Sequence, residues 1–411
     1  MADRRIKKEI GLKRMVEWKK LGDVCSLKAR IGWQGLTQKE HKKTGDYLLV
    51  TGTDFKSNYQ VDFDHCVYVD EIRYTQDPNI QLRPNDVLIT KDGTLGKMAV
   101  IEDLPKPATL NGGLFVIRDT TGRIHHKFLL HYMLSSKFQS IIESNHTNGT
   151  IKHLTQALLT NFPFPIPSLQ EQERIVGILY TFTASIENLK EQIAQRRKQY
   201  EHYRDQLLDL EGKDVQGTLS FGNDFQLKAR IGWQGLTKRE YRTNGDYKLV
   251  TGTDFTSNLR IDFDNCVYVD KERYEQDDNI KLKIGDVLIT KDGTLGKVAY
   301  IDKLEMPATL NGGVFVVRDP MNRVLPKFTM YYLTSNHFKK WMKQNHTTGS
   351  IQHLTQKLLS GFTIPVVEQS EQSHIVSILD TFEASIANLE AQLSQREKQY
   401  EYYRNKLLTF E

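Results

Sequence analysis

The chain consists largely of two copies of one sequence. Residues 27–211 align with residues 227–411 without a gap, and 109 of these 185 positions are identical. A repeat of this length in two copies encodes whole domains rather than the short stacked units of a solenoid. We therefore expect two domains of one fold, each long enough to bury its own core.

Identity between the copies is concentrated in polar, glycine-rich segments. Three segments recur unchanged, at 28–37 and 228–237, 86–97 and 286–297, and 107–113 and 307–313. In contrast, residues 121–144 match 321–344 at only six positions but keep their apolar character, as expected where packing is the only constraint. Core packing does not explain the retained polar segments, so we predict loops that perform the same task in each copy.

Composition constrains the binding partner less strongly. The 56 basic and 51 acidic residues give a formal charge of +5, which is compatible with a polyanionic partner and equally with an ordinary solvated surface. Cys25, Cys66 and Cys266 form no CxxC pair, which predicts neither a disulfide framework nor a zinc site. No apolar run is long enough to cross a bilayer, and the chain does not start with an apolar signal core, so we expect a cytoplasmic protein.

Each copy divides into two parts. The first, roughly 26–165, alternates short β-type runs with Gly, Asn and Asp clusters, which indicates a mixed α/β domain with a substantial sheet. The predicted strands are 47–50, 67–70, 87–90 and 114–118. Apolar residues at helical spacing between Lys127 and Glu143 predict a helix packed on that sheet.

The second part of each copy is a heptad repeat. Pro163, Pro165 and Pro167 are expected to interrupt regular structure, and Ser168 with Glu171 has the spacing of a capping box that starts a helix. Apolar residues then follow at steps of four and three over about five heptads. The predicted seam consists of Ile175, Leu179, Phe182, Ile186, Leu189, Ile193, Tyr200, Tyr203, Leu207 and Leu210, and of Ile375, Leu379, Phe382, Ile386, Leu389, Leu393, Tyr400, Tyr403, Leu407 and Phe410.

Two helices of about 36 residues, roughly 54 Å long, cannot hide such seams within their own domains. We therefore predict that they pair as a coiled coil, and the alternative is that each helix lies on its own globular core. Sustained 3.5-residue periodicity and charged flanks such as Glu187 and Lys190 favour the coiled coil. The basic residues Arg196 and Arg396, which interrupt the two seams, would fix its register.

Specific segments identify a family at this point. They are the proline-rich exits FPFPIPSLQEQERIVGIL and FTIPVVEQSEQSHIVSIL, the DVLITKDGTLGK segments, and HLTQALL and HLTQKLL before each exit. Together with the order of the parts, they make the whole chain resemble the specificity subunits of Type I restriction-modification enzymes. The resemblance implies two target recognition domains that each read one half of a split double-stranded DNA site, and two helices packed antiparallel as a spacer. It also implies two methylation subunits as partners, with motor-nuclease subunits that join for restriction.

The expected fold is therefore α+β and pseudo-two-fold symmetric, with two mixed α/β DNA-recognition domains joined by two long helices in an antiparallel coiled coil. We place the first recognition domain, including a basic N-terminal arm, at 1–167, and the central helix at 168–211. The second recognition domain is placed at 212–367 and the C-terminal helix at 368–411.

This chain departs from its family in one respect. Members usually carry two dissimilar recognition domains, whereas here the two are near-copies. Equal reading surfaces related by a two-fold axis meet opposite strands in opposite senses, as in symmetric dimeric DNA-binding proteins. We therefore predict an interrupted palindrome, or a site very near one, as the target. Differences such as Lys152 against Gln352 would alter a single base choice.

The candidate DNA contacts lie in the retained loops. Arg30 and Gln34 can read guanine and adenine by paired hydrogen bonds, whereas Trp33 is either a wedge against a base or sugar or a core anchor. The turn 91–97 offers ammonium groups, a hydroxyl and free amides to phosphates, or is a structural β-turn. The predicted DNA-binding set is Arg30, Trp33, Gln34, Lys91, Asp92, Thr94, Lys97, Asn111, Thr147, Lys152, Arg230, Trp233, Gln234, Lys291, Asp292, Thr294, Lys297, Asn311 and Thr347.

No catalytic motif accompanies these loops. The turn 91–97 superficially resembles a nucleotide-binding P-loop, but only two residues separate its glycines where four are needed, and Met98 stands where Ser or Thr should bind magnesium. A glycine-rich cofactor loop, an Asn/Asp-Pro-Pro-aromatic segment and a nuclease carboxylate cluster are also missing from the sequence. We therefore expect a non-catalytic chain without cofactor or metal, served by adenine methyltransferase and deoxyribonuclease activities in its partners.

Two other functions stay open. One is a stand-alone DNA-modifying enzyme with an unrecognised site, which methylation of DNA by the isolated chain would support. The other is a scaffold that uses its coil to organise protein partners. The repeated polar loops argue against the scaffold, because a scaffold would need only the seam repeated.

Overall fold

The structure is a computed structural model that describes residues 16–32, 35–144, 154–230, 235–293, 295–345 and 354–410. The chain forms two compact units. The first contains the described residues up to Lys190 and those from Gln392 onward, and the second spans Glu191–Ala391. Among the described helices, none is both long enough and apolar enough to span a bilayer.

The first unit is a mixed α/β structure. In chain order its elements are β1 (Glu17–Lys20), α1 (Leu21–Val24), β2 (Cys25–Ala29), β3 (Tyr47–Val50), β4 (Val67–Val69), α2 (Glu71–Thr75), β5 (Val87–Thr90), β6 (Met98–Val100), β7 (Ala108–Leu110), β8 (Leu114–Asp119), α3 (His126–Met133), α4 (Ser136–Ser144), α5 (Gln156–Thr160) and β9 (Pro163–Ile166). The four predicted strands are confirmed as β3, β4, β5 and β8, to within one residue at each end. A long helix, α6 (Leu169–Leu207), leads from this unit into the second.

Three sheets build the described part of the first unit. The largest is antiparallel, in the order β2-β8-β5-β6, and a smaller mixed sheet has the order β4-β3-β7, in which β3 and β7 are parallel. All four residues of β5 are buried, and they alternate between two cores. Val87 and Ile89 belong to the core that the helices cover, whereas Leu88 packs with Leu48 and Val116 between the sheets. The period of two in a strand therefore ties both cores to one element.

The prediction of one helix between Lys127 and Glu143 is wrong in one respect, because this segment forms two helices. Helix α3 ends at Met133, and α4 begins at Ser136. Between them, Ser135 donates its hydroxyl to the carbonyl of Tyr132 at 2.6 Å, a local bond of the kind that competes with continued helix. Both helices still bury apolar residues against the sheet, as their spacing indicated.

The proline segment is also more regular than predicted. Residues 163–166 form β9, which pairs antiparallel with β1, so that Trp18 lies opposite Pro165 and Lys20 opposite Pro163. Neighbouring strand residues direct their N–H groups to opposite edges, so prolines two residues apart leave the pairing edge intact. The segment therefore ends the globular part as a strand, and only afterwards does α6 begin. Its predicted cap is present, because the amide of Glu171 donates to the hydroxyl of Ser168 at 3.3 Å.

The second unit repeats this arrangement. Its elements are β10 (Gly217–Ser220), β11 (Gln226–Ala229), β12 (Tyr247–Val250), β13 (Val267–Val269), α7 (Lys271–Glu275), β14 (Val287–Thr290), β15 (Val298–Tyr300), β16 (Ala308–Leu310), β17 (Val314–Arg318), α8 (Pro326–Thr334), α9 (Asn336–Asn345), α10 (Gln356–Ser360) and β18 (Thr363–Val366), followed by the second long helix, α11 (Gln369–Leu407). The sheet orders match those of the first unit strand for strand.

The long helices contact each other antiparallel, as predicted. Within the second unit, Arg197 of α6 forms an ion pair with Glu390 of α11 at 2.5 Å, and Tyr203 stacks on Phe382 with ring centroids 5.4 Å apart. Residue numbers therefore rise along α6 in the direction in which they fall along α11. Arg196, the basic residue in the seam, lies over the ring of Phe382 at 5.9 Å. Tyr203 remains 46% exposed, so this predicted seam residue is not buried.

The same contacts recur within the first unit. Phe182 of α6 stacks on Tyr403 of α11 with centroids 5.3 Å apart, and Arg396 lies over Phe182 at 5.7 Å. The end of α11 continues into the core, where Phe410 packs edge-on against Phe128. Residues of the last turn of the second long helix are therefore part of the first unit's core. The seam arginines contribute cation–π contacts at matching positions.

We expect Phe182→Ala to lower the melting temperature Tm. Removing a buried Phe costs about 3–5 kcal/mol, and in a unit of this size each kcal/mol shifts Tm by roughly 2–4 °C. Calorimetry should therefore show a loss of roughly 6 °C or more in one transition. The control is Tyr180→Ala on the same helix, because Tyr180 is 58% exposed and its loss should change Tm little. Equal effects of the two substitutions would contradict the packing role of Phe182.

Candidate nucleic-acid interface

The turn 91–97 is a tight, hydrogen-bonded loop at the end of the buried strand β5. Gly93 and Gly96 have φ angles of +71° and +79°, which glycine adopts without strain. Thr90 closes the turn, because its hydroxyl accepts the amide of Lys97 at 2.9 Å and donates to the carbonyl of Thr94. Asp92, Thr94 and Lys97 are exposed on the turn. The geometry therefore holds a polar tip in one conformation.

Two retained segments and Leu154 are hydrogen-bonded together at Lys91. Its amide donates to the carbonyl of Gly113 at 2.9 Å, and its carbonyl accepts the amide of Leu154 at 3.2 Å. The turn 91–97, the Asn-Gly-Gly turn 111–113 and the chain that leaves segment 145–153 are thus hydrogen-bonded together. The second unit has the same bonds from Lys291 to Gly313 and Leu354, both at 2.9 Å. Segments far apart in sequence form one surface, as loops with a shared task should.

Arg30 contradicts its predicted role as a base-reading residue. Its side chain is only 2% exposed, and its guanidinium donates to the carbonyl of Leu110 at 2.8 Å, to Gln76 Oε1 at 2.9 Å and to Thr109 Oγ1 at 3.1 Å. Arg230 is 1% exposed with the equivalent bonds. The prediction is therefore wrong for Arg30 and Arg230. They hold the strand that leads into the Asn-Gly-Gly turn.

A network of charged side chains supports Arg30. Arg73, whose carbonyl also accepts from Arg30, forms an ion pair with Glu40. The backbone amide of Thr37 and the guanidinium of Arg73 lower the pKa of Glu40 to about 2, so its carboxylate stays ionised. Burial, followed by the charge of Arg73, lowers the pKa of Arg30. The retained segment 28–37 is thus explained partly by this network, which also exists around Arg230.

The other residues of the predicted DNA-binding set differ in their exposure and in their hydrogen bonds. Lys91 and Lys291 are half-buried, with their ammonium groups over the rings of Phe115 and Phe315 at 5.5 and 5.3 Å. Asn111 accepts the amide of Gly112 at 2.6 Å, and Asn311 donates to the hydroxyl of Tyr241. Asp292 is half-buried and Lys297 exposed. Outside the described residues lie Trp33, Gln34, Thr147, Lys152, Trp233, Gln234, Thr294 and Thr347.

One segment of this surface, Thr51 to Phe55, is absent from the predicted DNA-binding set. The amide of Asn111 donates to the carbonyl of Val50 at 2.9 Å, which places the segment beside the Asn-Gly-Gly turn. A Cβ on Gly52 would lie 2.8 Å from Thr90 Cγ2, so only glycine fits beside the turn 91–97. The five residues recur unchanged at 251–255. Because these five residues are identical in both copies, the repeat itself could have indicated that they belong to the surface.

Sequence comparisons point to one family. A family model described as the Type I restriction modification DNA specificity domain matches residues 15–196 and 234–397. A Type I restriction enzyme specificity subunit of Escherichia coli is 29% identical over 297 residues, which cover 68% of this chain and 70% of the relative. A putative Type I specificity subunit of Methanocaldococcus jannaschii is 23% identical over 400 residues, which cover 91% and 89%.

Solved structures share the fold. The S subunit of a Type I restriction-modification system from M. genitalium has a TM-score of 0.55 at 16% identity, with 97% of each chain covered. A chain from a type I system solved for its complex assembly and conformational transition has a TM-score of 0.61 at 18% identity, with 97% and 98% covered. The predicted fold class is confirmed by these neighbours and by the two matching units.

We expect Arg30→Ala to destabilise the first unit. The change leaves the buried acceptors of Leu110, Thr109 and Gln76 without their donor, and each orphaned group costs about 1–3 kcal/mol. The melting temperature should therefore fall by several degrees. Lys28→Ala, two residues away on an exposed side chain, is the control and should leave Tm unchanged. A stable Arg30→Ala protein would show that the buried network is dispensable.

Proposed function

The chain belongs to the Type I restriction-modification DNA specificity family, and from this we propose that each unit reads one half of an interrupted double-stranded DNA site. As a specificity subunit the chain selects DNA sequence. Adenine methylation and cleavage would then be supplied by two methylation subunits and by motor-nuclease subunits that bind to it. The cytoplasm, where these partners and the DNA meet, is the proposed location.

The observation that carries this proposal is the meeting of the retained loops in each unit. The turns 91–97 and 111–113 and the segment 51–55 lie together in the first unit, and their counterparts lie together in the second. We assign phosphate contacts to Lys97 and Lys297, which are exposed and form no ion pair with the described residues. Thr94 and the amides of the turn would position the backbone beside them, whereas the carboxylate of Asp92 would accept a hydrogen bond from a base amine.

Base reading is assigned to the neighbouring retained segment. Gln34 and Gln234 carry the donor and acceptor pair that suits adenine, and Trp33 and Trp233 can wedge against a base or sugar. Thr147, Lys152 and Thr347, which lie outside the described residues, are also assigned to DNA contact. Arg30 and Arg230 are excluded from this set because their guanidinium groups are buried.

The near-identity of the two copies supports an interrupted palindrome. Both units carry the same loops on the same framework, so both should prefer the same half-site. Two units that prefer the same half-site suit a palindrome, which presents that half-site twice in opposite senses, as it does to symmetric DNA-binding dimers.

Mapping modified adenines tests the proposal in cells. With this chain present, we expect methylated adenines in two equal, inverted half-sites at a fixed separation, and without it we expect those marks to disappear. The matched control restores the chain on a plasmid. Two unrelated half-sites would contradict the palindrome, and unchanged methylation without the chain would contradict the specificity role.

The exposed lysines of the two turns provide a paired test. We expect Lys97→Gln and Lys297→Gln, in the assembled complex, each to reduce the salt dependence of DNA binding by roughly 0.9 in the slope of log K against log salt. The loss should be uniform across DNA sequences, as for any phosphate contact. Lys303→Gln, which removes an exposed lysine outside the retained loops, is the control for a general loss of charge. A sequence-dependent effect would reassign these lysines to bases.

A further inference from the structure

The second unit carries a groove with a strongly basic rim. One wall is the turn that ends in Lys297, and the other is helix α9, where a Cβ added to Gly296 would lie 3.3 Å from Met342 Cε. The loop from Thr256 to Leu259 closes one end. The groove has a volume of about 870 Å³, which has room for a segment of sugar-phosphate backbone.

Four lysines surround this groove. Lys297, Lys339, Lys340 and Lys343 line it and are exposed. None of the four forms an ion pair with the described part of the chain, and segment 346–353, which follows α9, contains no Asp or Glu. Arg204 also lines the groove, but it is paired with Asp205 at 3.0 Å. The four lysines therefore present uncompensated positive charge.

The first unit has different residues at three of these positions. Gln139, Ser140 and Glu143 of α4 correspond to Lys339, Lys340 and Lys343 of α9. Three positive charges in the second unit thus replace one negative charge in the first. The turns beside the two helices are identical, from Lys91 to Lys97 and from Lys291 to Lys297. The loop beside the groove differs as well, because Lys56 of the first unit stands where the second has Thr256, but Lys56 is paired with Asp62 at 3.3 Å. Among the described residues that differ here, the unpaired lysines are therefore the ones on helix α9.

Folding alone does not explain these lysines. Lys339 and Lys343 are four residues apart, a spacing at which like charges destabilise a helix by about 0.2–0.5 kcal/mol. The helix dipole favours Lys343, which lies in the last turn, but not Lys339 or Lys340. Lys339 and Lys343 are separated by roughly 6 Å along the axis and lie on one face of the helix, so they can contact the same stretch of backbone.

We infer that this groove binds the phosphate backbone of duplex DNA beside the half-site of the second unit, and that the two units hold DNA unequally. The inference rests on the proposed function and deepens it. A site that is symmetric in sequence is then bound with extra ionic contacts on one side. Because phosphate contacts release counterions, the additional lysines make binding more salt-dependent without changing the bases that are read.

The test exchanges charge between the units in the chain assembled with its methylation subunits. Binding of a duplex that carries the mapped site is measured between 50 and 200 mM salt. For Lys339→Gln, Lys340→Gln and Lys343→Gln combined, we expect the slope to fall by up to about 2.7, so the affinity lost over this range becomes about forty-fold smaller. The reciprocal change, Gln139→Lys, Ser140→Lys and Glu143→Lys, should raise the slope.

A matched control removes three lysines of the second unit that have acidic partners. Lys213, Lys271 and Lys303 pair with Glu371, Glu275 and Glu305. Changing all three to Gln removes the same charge and should leave the slope unchanged. An unchanged slope in the groove variant, or an equal fall in the control, would overturn the groove and leave the proposed function standing. If the unaltered complex showed no salt-dependent duplex binding, the proposed function would fail, and the inference with it.

Discussion

The structure of each unit depends on one strand that is buried on both faces. In the first unit, β5 sends Val87 and Ile89 into the core beneath the helices and Leu88 into the core between the sheets. A shift of one residue would reverse every side chain, so this register is strongly fixed. The turn 91–97 emerges from the end of this strand, and Lys91 then gathers the other retained loops by backbone hydrogen bonds. The placement of the retained loops thus depends on the packing of the core.

Local patterns in the sequence predicted much of this fold. The strands follow from β-type runs between turn residues, and the long helices follow from the heptads, because both depend on neighbouring residues alone. The role of Arg30 could not be predicted in this way, since its acceptors on Gln76, Thr109 and Leu110 lie 46 to 80 positions away. A polar residue in a glycine-punctuated segment looks the same whether it faces a ligand or a buried carbonyl. Similarly, the break at Ser135 depends on one side-chain hydrogen bond within an otherwise helical pattern.

The two copies of the repeat are alike in some parts of the structure and differ in others. Loops, strand registers and the aromatic pairs Phe182 with Tyr403 and Phe382 with Tyr203 are the same in both. Divergence is concentrated in residues 121–144 and 321–344, where six of 24 positions match and where α9 carries lysines at three positions that are Gln, Ser and Glu in α4. Helix surfaces tolerate such change because their packing needs only apolar character at the right spacing. For this reason helix α9 can differ in charge from α4, although the neighbouring turns 91–97 and 291–297 are identical.

The packing of Phe410 against Phe128 has a consequence for biosynthesis. Domains of a growing chain usually fold in order from the N-terminus, at about 5–20 residues per second. Here the first unit lacks part of its core until residues beyond Gln392 have been translated, on the order of 10 to 40 s after Lys190 at that pace. The second unit is continuous in sequence and has no such wait. On the ribosome, therefore, the domain that is translated later is the one that matures first.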